Sequence, residues 1–207
     1  MLCMTAEPFE YPRPDWPPNI RMVGPCAWDP PAEAPGWLGE ITRPLVLVTT
    51  SSEFQDDGLL VRTALEGLAE EDLEVVATLP AAGLGETDVP ANARVLPFVP
   101  HGALLERAAV AITHGGMGAT QKAIAKGVPV CVVPFGRDQL EVARRVEVSG
   151  AGTRLPLRKL NAQRLRLSVR EAMGRRAGAS RIAEAYAATG GPAAAADAVL
   201  DLVREQS

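Results

Sequence analysis

From Pro44 onward the chain alternates between two hydrophobic patterns. PLVLVTT is an unbroken run of apolar and β-branched residues, the pattern of a strand buried on both faces of a parallel sheet. DDGLLVRTALEGLAEE follows, with apolar residues at helical spacing. EVVATL, RVLPFV and VAIT then read as strands, with ALLERA as a short helix between the last two. GATQKAIAKG reads as a helix closed by Gly127, PVCVVP as a strand, and DQLEVARRVEVSG as a helix closed by Gly150. Residues 152–155 form a weak final strand, and three helices near 161–173, 176–187 and 191–205 close the chain. Val199, Leu202 and Val203 give the Ala-rich last helix an apolar stripe. Alternating helices and apolar strands predict an α/β fold, a Rossmann-like doubly wound parallel sheet.

Residues 1–43 follow neither pattern. Ten of the 18 prolines lie in residues 1–44, and proline lacks the N–H donor and fixes its own φ. YPRPDWPPN and GPCAWDPPAEAPG therefore predict a Pro-rich extended linker or wrapping arm, set apart from a domain of residues 44–207. The arm holds Trp16, Trp28 and Trp37, all the tryptophans of the chain. A solvated linker has little use for tryptophan, so the arm is expected to dock on a surface.

Composition narrows the function classes. A hydrophobic fraction of 47% suits a packed core, and a net charge of −4 argues against nucleic acid as a partner. Cys3, Cys26 and Cys131 share no metal-like spacing, and a reduced, cytoplasmic protein is expected. No apolar run reaches the roughly 20 residues of a membrane span.

The densest chemistry lies in THGGMGATQKAIAKGVPVCVVPFGRDQ, residues 113–139. VAIT ends a strand, HGGMG makes the turn and ATQKAIAKG makes the helix. In an open parallel sheet, ligands bind beyond the carboxyl ends of the strands. A helix starting there aims its unpaired amides and positive dipole end at the crevice, which suits a phosphate. Gly115, Gly116 and Gly118 would let an anion approach the backbone. Thr120 offers a hydroxyl and His114 an imidazole N–H. A glycine-rich strand–helix turn is also common without any ligand. Gly116-Met117-Gly118 starts a dinucleotide fingerprint, but Gln121 stands where its third glycine belongs, and no Walker loop is present. Asp138 and Gln139 open the next helix on the same sheet edge. They can hold sugar hydroxyls, or Asp138 can simply cap its helix. Thr50-Ser51-Ser52 follows the first strand, and Phe98-Val99-Pro100-His101 follows the third. Phe98 is either a core residue or a platform for a base.

Taken in order, a Ser-bearing loop, FVPH, THGGMGAT and GVPVCVVPFGRDQ resemble the donor-binding, C-terminal half of the GT-B glycosyltransferases. The similarity is to those acting on macrolides and glycopeptides and to the UDP-glucosyl and glucuronosyl transferases. NIRMVGP, residues 19–25, resembles the segment leading out of their acceptor domain. The resemblance implies a hexosyltransferase-type reaction, in which a nucleotide-diphospho-sugar donor, uridine or thymidine, gives its sugar to an acceptor hydroxyl with inversion. It implies that Ser52, His114, Gly116, Gly118, Ala119 and Thr120 hold the diphosphate. Phe98, Val99 and His101 would take the base, and Asp138 and Gln139 the sugar. No cofactor and no metal are implied.

Some positions depart from the family. Met117-Gly118-Ala119 replaces a Trp-Asn-Ser, Ser51 replaces a glycine, and Lys122 stands where plant relatives carry a ribose-binding Glu. The acceptor domain and its catalytic histidine have no counterpart here, so no catalytic residue is assigned. An N-terminal acceptor-binding domain is expected as a partner, in the full protein or in trans. The abrupt opening MLCMTAEPFE favours a truncated enzyme, inactive alone, over a subunit of a split transferase or a non-catalytic nucleotide-binding fragment.

Overall fold

The computed structural model describes residues 1–29, 33–51, 58–79 and 87–205. Two short strands, β1 (Leu2–Cys3) and β2 (Arg21–Met22), pair in parallel within the arm. The domain follows as β3 (Leu45–Thr49), α1 (Gly58–Leu68), β4 (Glu74–Thr78), β5 (Ala93–Leu96), α2 (His101–Leu105) and β6 (Ala108–Thr113). It continues with α3 (Met117–Ala125), β7 (Val130–Val132), α4 (Gln139–Ser149) and β8 (Gly152–Arg154). Helices α5 (Ala162–Met173), α6 (Arg176–Ala188) and α7 (Gly191–Glu205) complete it.

Among the described residues, six strands form one sheet in the order β5-β4-β3-β6-β7-β8, every neighbouring pair parallel. The doubly wound sheet read from the alternating pattern is present. The unbroken apolar runs arise because alternate strand residues enter two separate cores. Leu45, Leu47, Val76, Ala111 and Val130 pack with Ile124 of α3, Val142 of α4 and Ile182 of α6. Val46, Val48, Val75, Val110 and Ile112 pack with Leu60 and Leu65 of α1 and Leu165 of α5. With side chains alternating across the sheet, a strand covered on both faces has no polar face to show.

Two boundaries differ from the sequence expectation. The short helix read in ALLERA is α2, which starts earlier, at His101, and ends at Leu105. Ala108 already belongs to β6, opposite Leu45. Just before it, Arg107 donates to the carbonyl oxygens of Leu38 (2.6 Å) and Ile41 (2.8 Å). The strand read in RVLPFV stops at Leu96, because Pro97 has no N–H to extend the ladder. The glycine stop at Gly150 is found at φ 74°, the left-handed geometry that favours glycine.

The arm docks, through Phe9 and Trp37. Phe9 is 1% exposed and meets the Tyr186 ring edge-on at 6.1 Å. Gln121 Nε2 donates to Met4 O at 2.7 Å, and the Arg145 guanidinium pairs with Glu10. Trp28 stays 71% exposed, whereas Trp37 lies beneath the Arg94 guanidinium and against the core. If the Phe9 contact is part of the cooperative fold, Phe9→Ala lowers unfolding free energy in urea by about 3 kcal/mol. Trp28→Ala, by contrast, changes stability by less than about 0.5 kcal/mol.

Candidate functional site

The order of the sheet reverses between β3 and β6, and ligand crevices form at such a point. A cavity of about 580 Å³ opens there. Thr50 and Ser51 line it from the end of β3, Thr78 from β4, and Pro97, Phe98, Val99 and His101 from the segment after β5. His114, Gly116, Ala119 and Lys122 line it from β6 and α3. Four strand ends and the start of one helix thus face a single space.

The α3 turn is built on glycine. Gly115 has φ 93°, and a Cβ there would press on Val132 and Gln139 at 3.0 Å each. Its amide donates to Thr113 Oγ1 at 3.1 Å. A Cβ on Gly116 would sit 2.5 Å from His114 Nε2, so the buried imidazole lies directly across the Gly116 backbone. Gly118 has open space around its Cβ direction. The first bond of α3 runs from the Thr120 amide to Gly116 O at 3.0 Å. The amides of Met117, Gly118 and Ala119 therefore precede the helical ladder and mark its positive end.

The expected site residues divide. His114, Gly116, Ala119, Phe98, Val99 and His101 line the one cavity. Phe98 is 60% exposed, so its core alternative is wrong and its ring is an open aromatic face. Val99 is buried and can present only its backbone. Thr120 does not meet the expectation: it is wholly buried, its amide serves the helix, and its hydroxyl faces Thr113 Oγ1 at 3.3 Å. Thr50, named with its loop, directs its hydroxyl to Thr78 O at 3.0 Å. Gln139 is buried, and its Oε1 accepts from the amides of Phe135 (2.8 Å) and Gly136 (3.2 Å). It shapes the loop before α4 and does not present that oxygen to a sugar. Asp138 is exposed at the α4 start and makes no side-chain cap, so the capping alternative fails. Ser52 lies outside the described residues.

Trp28 and Asp29, which were not among the expected site residues, reach the same cavity from the arm. Lys122 Nζ donates to Asp29 Oδ1 and to Trp28 O, both at 2.7 Å. A cavity-facing lysine one turn into α3 was the available signal, because a partly buried ammonium needs a carboxylate. Its partner, 93 residues away in a segment without periodicity, could not be named from spacing. Among the described residues, no group of three or more His, Cys, Asp and Glu side chains is placed to hold a metal ion. Nor is any described helix long and apolar enough to cross a membrane.

The family model described as "Erythromycin biosynthesis protein CIII-like, C-terminal domain" matches residues 62–202. The chain belongs to this family. It is 40% identical over 206 residues to 4'-demethylrebeccamycin synthase of Lentzea aerocolonigenes, covering 96% of this chain and 47% of that protein. The glycosyltransferase SnogD from Streptomyces nogalater superposes with a TM-score of 0.80 at 29% identity, over 97% of this chain and 55% of that one. The glycosyltransferase VinC, solved in complex with dTDP, gives 0.78 at 29% identity, over 94% and 50%. The chain thus spans about half the length of these relatives. The EryCIII-like domain keeps the expected GT-B C-terminal architecture.

His101 is a titratable group of this cavity. Burial pushes its imidazole below the ordinary value, the Lys122 ammonium adds to this, and the Asp29 carboxylate opposes it. The Nε2 atom lies 3.0 Å from Thr78 Oγ1. The unfolded chain takes up the proton near pH 6.5, and the folded protein only at lower pH. This contribution to stability is therefore complete above about pH 6.5 and is lost as pH falls through the folded value. Thermal melts between pH 7.5 and 5 should fall more steeply for the wild type than for His101→Gln. Parallel slopes would contradict the assignment.

Proposed function

We propose that this chain is the donor-binding half of a hexosyltransferase-type glycosyltransferase. It binds a nucleoside diphosphate sugar with the diphosphate at the start of α3. The observation that carries the reading is the opening of three features into one cavity: the α3 amino terminus, the His114 imidazole and the exposed Phe98 ring. Amides at a helix amino terminus suit a diphosphate, and an aromatic face suits a base. The dTDP bound by VinC, a structural relative, supports the same ligand class.

In the reaction, charge develops on the diphosphate as the sugar leaves. Fixed amide dipoles and an imidazole N–H aimed at that charge stabilise it without reorganising. Gly116, Gly118 and Ala119 supply the backbone, and His114 supplies the side chain. Val99 offers backbone groups to the base edge. Asp138 accepts hydroxyl protons of the sugar, with Gln139 holding the loop that presents it. Transfer to an acceptor hydroxyl, with inversion, needs an acceptor-binding unit, either in the same polypeptide or in trans. Residues 1–43 would join that unit to the donor domain. The exposed Val199, Leu200 and Leu202 of α7 offer it an apolar surface.

Calorimetric titration of the chain with UDP, dTDP, GDP and UMP tests the reading. UDP or dTDP binds, and UMP binds far more weakly because it lacks the second phosphate. His114→Ala weakens diphosphate binding about tenfold or more, the scale of a lost hydrogen bond to a charged group. Gly116→Ala does the same, because its Cβ displaces the imidazole. Binding that ignores both substitutions, or no binding by any of these nucleotides, would refute the proposal.

A further inference from the structure

The arm contributes one member of a charge pair to the cavity. Asp29 is the one carboxylate that lines it among the described residues, and it comes from outside the parallel sheet. Its Oδ1 takes a hydrogen bond from Lys122 Nζ at 2.7 Å. Its Oδ2 is wedged against α2, where a Cβ on Gly102 would lie 2.6 Å away. The carboxylate is therefore hydrogen-bonded at one oxygen and lies close to Gly102 at the other, with the Asp29 side chain 31% and the Lys122 side chain 18% exposed.

This placement has a chemical reading, which rests on the donor-binding proposal above. With the diphosphate at Gly116 and Ala119 and the base on Phe98, the ribose lies between them. Lys122, Asp29 and His101 line the same cavity. Ribose hydroxyls donate hydrogen bonds, and an ionised carboxylate is an acceptor with about four lone-pair sites, of which the lysine takes one. A lone carboxylate would also repel the diphosphate. The Lys122 ammonium cancels that charge and leaves the acceptor capacity in place.

We propose that Asp29, positioned by Lys122, reads the vicinal hydroxyls of the donor's ribose, so that the chain prefers ribonucleoside over 2′-deoxyribonucleoside diphosphates. The arm is then a wall of the nucleotide site. The alternative is a pair that only fastens the arm to α3.

The test compares UDP with 2′-deoxyuridine diphosphate, which share a base and a diphosphate, by calorimetry on wild type, Asp29→Asn and Lys122→Met. Wild type is expected to prefer UDP about tenfold, the scale of one hydrogen bond to a charged group. Asp29→Asn lowers UDP affinity to near that of the deoxynucleotide and leaves the latter within about twofold, so the ratio collapses. Lys122→Met reduces the ratio in the same direction by freeing the carboxylate from its place. Equal loss of both ligands in Asp29→Asn means that the pair is only a fastening, and overturns the proposal. Equal affinity of wild type for both ligands overturns it without any variant, while the donor-binding reading stands. If neither binds, both readings fall.

Discussion

Strand β3 is paired on both edges, to β4 and to β6, and covered on both faces. Its neighbours run parallel to it, five residue pairs to a side, so all three strands end level. From β3 the chain winds outward through β4 to β5, then returns across the sheet to β6 and winds the other way. The segments leaving β3 and β6 must diverge, and the space between them cannot be filled by a crossover helix. The cavity follows from this constraint. So does its chemistry: a helix that leaves β6 starts at the cavity floor, with its unpaired amides pointing in. Cross-strand hydrogen bonds and two aliphatic cores thus fix where the proposed diphosphate site stands, at the start of α3.

Glycine at the turn completes that arrangement. Gly115 reverses the chain at φ 93° between Val132 and Gln139, with no room for a side chain. Gly116 leaves room for the Nε2 edge of the His114 ring to approach the backbone at the edge of the cavity. Gln139 holds the loop after β7 through the amides of Phe135 and Gly136, and its own Cβ lies close to Gly115, so the turns after β6 and β7 meet there. The imidazole and the Asp138 loop are thereby set on one support, the arrangement that the proposed binding of two parts of one donor calls for.

Local pattern carried most of the fold into view. β3 was readable because burial on both faces removes polar residues, and the α4 stop because Gly150 occupies a left-handed position. Boundaries that depend on long-range contacts were not readable. The start of β6 is the pairing of Ala108 with Leu45, a contact 63 residues back in the chain. At the site, residue type named the candidates but not their use. Thr120 and Gln139 carry the right groups, yet burial commits both to backbone and neighbouring side chains. Phe98 was ambiguous because hydrophobicity alone does not separate a core ring from an exposed platform. Asp29 was invisible because proline-rich segments have no periodicity from which to infer a facing direction.

Helix α3 ties these levels together. Gln121 and Lys122 are consecutive, so on a helix they project about 100° apart. Gln121 holds the arm at Met4, and Lys122 holds it at Trp28 and Asp29. The arm therefore straddles the helix whose amino terminus floors the cavity. An exposed ion pair in that role would be worth less than about 1 kcal/mol. Here the ammonium is largely buried, and Phe9 anchors the same arm in the core beside Tyr186. Burial of one phenyl ring thus fixes where a carboxylate twenty residues later can stand. The segment that forms this part of the cavity wall belongs to no strand of the six-stranded sheet, so its place depends on these contacts with α3 and α6.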